Sequence, residues 1–198
     1  MPISVGVRPY AWEHPCSQSY LVDREPAQVP PPPVQQDAPG WVRAMGAVSA
    51  GLQVVEVSVQ GTGEDTVVLQ ALRVRVVGRA APPAWNEYLM GVGCGGDIET
   101  ESYGIDLDAA RPQAVPKGGE REFRYSVSES DPEVLVVTAD AKAGDVSWYL
   151  ELEWTSGDRH GTVRVDDRGR PFRTSGVAGT TYAYPLGGSA WETYSPEG

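Results

Sequence analysis

Residues 148–167, WYLELEWTSGDRHGTVRVDD, leave this chain little choice of fold. Trp148, Leu150, Leu152 and Trp154 fall on one side of an extended backbone, and Tyr149, Glu151 and Glu153 fall on the other. After the turn at 156–161 the alternation resumes, with Val163 and Val165 inward and Thr162, Arg164 and Asp166 outward. A period of two on both sides of a Gly/Asp-containing turn predicts a half-buried β-hairpin. Pairing Trp154 with Val163 would set Glu153 opposite Arg164 on the wet face, an opposite-charge cross-strand pair.

The rest of the chain is similar material. Ile3, Val5 and Val7 alternate in a first strand, and Val55, Val57 and Val59 lead through a Gly-rich turn into 68–77. There Leu72, Val74 and Val76 point inward and Arg73 and Arg75 outward. Short strands are expected near 88–92, 103–107, 121–128 and 171–174, and the continuous apolar run at 134–140 marks a central strand. Segment 41–48 fits a strand or a short helical turn equally well. About nine or ten strands, little helix and no fixed repeat predict an all-β antiparallel β-sandwich, immunoglobulin-like or jelly-roll-like. Three regions follow: 1–40, a strand and a Pro-rich strap; 41–176, the sandwich core; and 177–198, a Gly/Tyr-rich tail expected to fray. Within the first, VPPPPV at 29–34 must be extended, because proline lacks a donor and fixes φ.

The formal net charge of −11 argues against a nucleic-acid surface, and the basic residues are scattered in sequence. No apolar run approaches the roughly 20 residues a membrane-spanning helix needs, and MPISVGVRPY shows no basic or apolar leader pattern. Gly91, Gly93, Gly95 and Gly96 surround Cys94, but neither Lys-Ser/Thr nor a helix follows, as a phosphate-binding loop requires.

No catalytic constellation stands out. His14 and His160 have no nucleophile nearby in sequence, and Glu151 and Glu153, about 6–7 Å apart along a strand, read as solubility residues. The doublets Asp106/Asp108 and Asp166/Asp167 have the oxygen chemistry of a Ca²⁺ site, yet such pairs arise by chance in so acidic a chain. No metal or cofactor is expected. A disulfide between Cys16 and Cys94 is expected, pinning the N-terminal arm with roughly 3–5 kcal/mol in the loop-entropy picture and implying an oxidising compartment. Two free thiols would instead place the chain in the cytoplasm. Trp12, Trp85 and Trp191 lie in loop-like sequence, with Tyr88 also available, and they could form a binding platform or clamp loops together.

The segments GVGCGG (91–96), DPEVLVVTA (131–139) and WYLELEW…GTVRVDDRGRPFRTSG (148–176) together resemble a β-rich domain of unassigned function from GC-rich Gram-positive bacteria. The resemblance implies the exterior part of a membrane-anchored regulator: an extracytoplasmic, non-enzymatic sensor or recognition module for a protein or cell-envelope ligand. The chain departs from that pattern in showing neither a helix-turn-helix nor an anchor. Two alternatives remain open at this point. One is an assembly subunit that uses edge strands and the Pro-rich arm; the other is a secreted jelly-roll hydrolase, which requires a cleft with two carboxylates, one of raised pKa.

Overall fold

Residues 1–91, 102–118 and 122–196 are described by a computed structural model. The order along the chain begins β1 (Ile3–Ala11), β2 (Ser19–Val22), α1 (Ala38–Met45), β3 (Val48–Ala50), β4 (Leu52–Gly61) and β5 (Val67–Ala80). It continues through β6 (Asn86–Leu89), β7 (Ser102–Asp106), β8 (Val115–Pro116), β9 (Tyr125–Val127) and β10 (Glu133–Asp140). Last come β11 (Asp145–Ser156), β12 (Arg159–Val165), β13 (Phe172–Ser175), β14 (Thr181–Ala183) and β15 (Glu192–Thr193).

These strands form two sheets, and the fold is an all-β sandwich. The smaller sheet runs β1-β4-β10-β7-β8, and the larger β15-β14-β6-β2-β3-β13-β11-β5-β9, with β12 also on β11. Both are mixed rather than purely antiparallel, because β7–β10, β3–β13 and β6–β14 pair in parallel. The inner faces share one core. Trp148, Leu150 and Leu152 of β11 lie fully buried in the same cluster as Val55, Val57 and Val59 of β4 and Val137 of β10.

The predicted hairpin is β11–β12, and its inward set is the expected one. Its register differs. Trp154 faces Gly161 and Leu152 faces Val163, so Glu151, not Glu153, stands opposite Arg164. The turn is only Gly157-Asp158, since Ser156 pairs with Arg159, and Gly157 supplies the positive φ of 62° that a two-residue turn needs. Packing also favours this register: a Cβ on residue 161 would lie 2.7 Å from the Trp154 ring. Glu153 and Glu151 turn the other way, accepting hydrogen bonds from Arg73 (2.5 Å) and Arg75 (2.7 Å) on β5.

A buried polar chain ties the sheets together. The Trp148 indole N–H donates to Thr174 Oγ1 (3.0 Å), whose hydroxyl donates to Gln53 Oε1 (2.7 Å). Gln53 Nε2 then donates to the Pro9 carbonyl (3.0 Å). Each polar atom thereby keeps a partner in a place water does not reach.

Beyond β13 the larger sheet extends into a second, aromatic core, and here the structure decides one open segment and corrects one expectation. Of the segment 41–48, residues 41–45 are helical and Val48 begins β3: α1 carries Pro39 in its first turn, where no N–H is required, and lays Trp41 onto Tyr20, with Val42 buried in the same cluster. The described part of the tail, 177–196, is packed, rather than frayed as expected. Tyr182 stacks on Tyr88 with centroids 5.5 Å apart, and the buried Trp191 donates its indole N–H to the Val29 carbonyl of the Pro-rich strap (3.0 Å).

Replacing Thr174 with Val keeps the shape but strands both the Trp148 N–H and Gln53. Urea denaturation should show a loss of about 1–3 kcal/mol, whereas a change below 0.5 kcal/mol would mean that the chain of hydrogen bonds contributes little.

Candidate functional site

The first strand is an edge. Among the described residues, β1 pairs only with β4, and β12 pairs only with β11. Natural edge strands are usually protected by charge, proline or a bulge. β12 is guarded by Arg159, His160 and Arg164. In β1, Pro9 and the register shift between Arg8 and Ala11 guard one end, but Ile3-Ser4-Val5-Gly6-Val7 carries neither charge nor proline.

These two edges border one groove of about 1340 Å³. Its walls include Val5 and Val7 from the inner face of β1 but also Ser4 and Arg8 from the outer face, together with Val163 and Arg164 of β12. Residues from both faces of a strand can line one cavity only if it runs along the strand's edge. Val5, Val7 and Val163 are half-buried and pack against the main core, so the floor is apolar. One end is closed by the strap and α1, through Val34, Pro39 and Arg43.

The polar rim has its own internal order. Asp166 accepts from Arg164 Nε (2.6 Å) and from the Gly169 N–H (2.9 Å), and the Arg164 guanidinium lies 3.9 Å over the Tyr149 ring. Tyr10 donates its hydroxyl to Asp167 Oδ2 (3.0 Å). Burial, then the negative charge of Asp167, raises the Tyr10 pKa well above the usual phenol range, so the hydroxyl stays a donor at any physiological pH. Asp167 and Arg170 close a tight turn in which Arg168 takes φ +56°, a left-handed conformation that is uncommon outside glycine.

The residues singled out from sequence lie elsewhere. Trp12, Tyr88 and Trp191 are buried in the aromatic core rather than displayed as a platform. Their polar atoms are engaged internally: the Trp12 N–H donates to the Tyr20 hydroxyl (3.0 Å), and the Tyr88 hydroxyl donates to the Arg24 carbonyl (2.6 Å). Trp85 is half-buried outside that cluster, with the Arg173 guanidinium 5.3 Å from its ring centre. Cys94 lies outside the described residues, among which there is no free cysteine.

The acidic doublets are structural posts. Asp108 accepts three backbone N–H groups, from Lys142 (2.7 Å), Ala143 (3.0 Å) and Gly144 (3.1 Å). Among the described residues, no group of three His, Cys, Asp or Glu is placed to hold a metal ion. A second, shallower cleft of about 450 Å³ contains Asp106 and Asp140, register partners across β7 and β10. Burial raises the Asp140 pKa, opposed by Lys117 and Lys142, while Asp106 Oδ1 accepts the Asp108 N–H (3.0 Å).

No family model, no curated protein and no solved structure matches the chain. No helix among the described residues is long and apolar enough to cross a membrane.

The groove has no local signature in the sequence, because both of its walls are assembled from strands far apart in the chain. One signal was present: Asp167-Arg168-Gly169 has the Asp-x-Gly composition of a tight turn.

The Asp108 pKa is lowered on balance: burial pushes it up, but the three N–H donors and the nearby Arg79 outweigh that. A carboxylate with a depressed folded pKa stabilises the fold above its unfolded value near 3.9 and loses that contribution as pH falls through the folded value. Thermal unfolding between pH 7 and pH 2 should therefore show a shallower acid-side decline for Asp108→Asn than for the wild type. Parallel curves would remove this assignment.

Proposed function

We propose that the protein is a non-enzymatic recognition module that works outside the cytoplasm and binds an extended polypeptide by adding it as a strand along β1. The observation that carries this reading is the groove between two strand edges that are unpaired among the described residues, floored by Val5, Val7 and Val163. Ile3–Val7 offers about 17 Å of unguarded edge, along which backbone hydrogen bonds would supply affinity and the apolar floor would accept alternate side chains. The volume exceeds the roughly 300–1,000 Å³ of small-molecule sites and suits a polymer. A second copy of the chain is a poorer occupant, because each copy carries a net charge of −11 and would repel the other. The hydrolase alternative rests on the Asp106–Asp140 cleft, and it is weaker because Asp106 is already turned into its own loop.

Strand addition needs the ligand's own backbone N–H groups. Peptides enriched on the chain from a random display library should read as alternating apolar sequences. N-methylation at every second residue, in the phase that faces β1, should abolish their binding, while the opposite phase is tolerated. Binding indifferent to N-methylation in either phase would rule out strand addition.

The exterior location is supported by the approach of β6 to the N-terminal arm. A Cβ on Gly91 would lie 3.0 Å from Cys16 Sγ, and Cys94 follows three residues later, a chain reach of about 10–11 Å. A Cys16–Cys94 disulfide fits that approach and an oxidising compartment. Mass spectrometry of protein denatured without reductant should count no alkylatable thiols. Two thiols would argue for the cytoplasm.

A further inference from the structure

Resting on the strand-addition reading, we propose that the bound segment is acidic: an extended peptide whose carboxylates meet Arg8, Arg43 and Arg168 around the groove.

The charge pattern runs against the rest of the molecule. The chain carries 27 acidic against 16 basic residues, yet among the described residues four arginines and two aspartates line this groove. Both aspartates are already committed, Asp166 to Arg164 and the Gly169 N–H, and Asp167 to the Tyr10 hydroxyl. Arg43 and Arg168 are exposed and make no ion pair among the described residues. Arg8 reaches Glu56 at 3.4 Å with 63% of its side chain in solvent, a contact weak enough to exchange for a ligand carboxylate.

Arg168 adds a second argument. Its left-handed backbone is unfavourable for an ordinary residue, and glycine or asparagine would largely avoid that strain in the same turn. A charged side chain kept in a strained conformation at the lip of a cavity points to a use for that side chain. Guanidinium groups offer planar paired donors that fit carboxylates. A strand places alternate side chains about 6.6–6.8 Å apart on one face, so Val and Glu in alternation would give the apolar floor and the arginine rim each their own row. A polyanion without a peptide backbone could meet the arginines but would leave the β1 edge unpaired.

Calorimetric titration of the full chain with two nonapeptides, alternating Val/Glu and alternating Val/Lys, tests the proposal. The acidic peptide should bind about tenfold or more tightly than the basic one and weaken with added salt. That preference should fall away in Arg43→Glu and in Arg168→Gly, the latter relieving backbone strain and so keeping the fold. Equal binding of both peptides, still abolished by N-methylation, would overturn the acidic preference and leave strand addition standing. Failure of both peptides to bind would overturn the reading beneath it. Inorganic polyphosphate binding as tightly as the acidic peptide would also overturn the proposal, in favour of a ligand without a backbone.

Discussion

The structure depends on β11 having one face that is apolar from Val146 to Trp154 while hydrogen-bonding along both edges. β5 runs along one edge from Asp145 to Thr155, while β13 and β12 share the other. Trp148, Leu150 and Leu152 form the centre of the sandwich, three large, fully buried side chains in succession on one face. Burying them drives the two sheets together through the hydrophobic effect, at about 1.5–3 kcal/mol per large apolar side chain. The polar chain from Trp148 through Thr174 and Gln53 to Pro9 then fixes how the sheets sit, since any slip would bury an unpaired donor.

The groove follows from the same arrangement. β12 folds back only along the second half of β11, so it ends as an outer strand, and β1 ends the smaller sheet. A sandwich cannot remove its edges as a closed barrel can. Here one edge is guarded by charge, while the other exposes Ile3–Val7. The arginines that ring the opening come from β1, α1, β12 and the turn after it, so the local positive field is built by the fold within an acidic molecule.

How much of this could be read from the residues depends on whether their partners are local. The alternation of Trp148 to Trp154 is a property of six neighbouring bonds, and it named the inner face correctly. The register of the hairpin was missed by two residues because it turns on Gly161 making room for the Trp154 ring, a contact that periodicity does not encode. Trp12 and Trp191 lie in loop-like sequence because the elements that bury them, β2, the strap and the tail, are short or irregular and separated by up to 162 positions, as in the Trp191–Val29 hydrogen bond. The tail's wealth of aromatics was a hint of that second core: Tyr182, Tyr184 and Trp191 all pack into it. The groove was not legible at all, since β1 and β12 meet only after both sheets have formed.

Amide hydrogen exchange, read by mass spectrometry with and without saturating acidic Val/Glu peptide, tests the central claim most directly. New protection confined to Ile3–Val7 and the facing part of β12 is the result expected if a ligand strand adds to the free edge. Protection that appears instead on the β6–β14–β15 side, or nowhere, would contradict it.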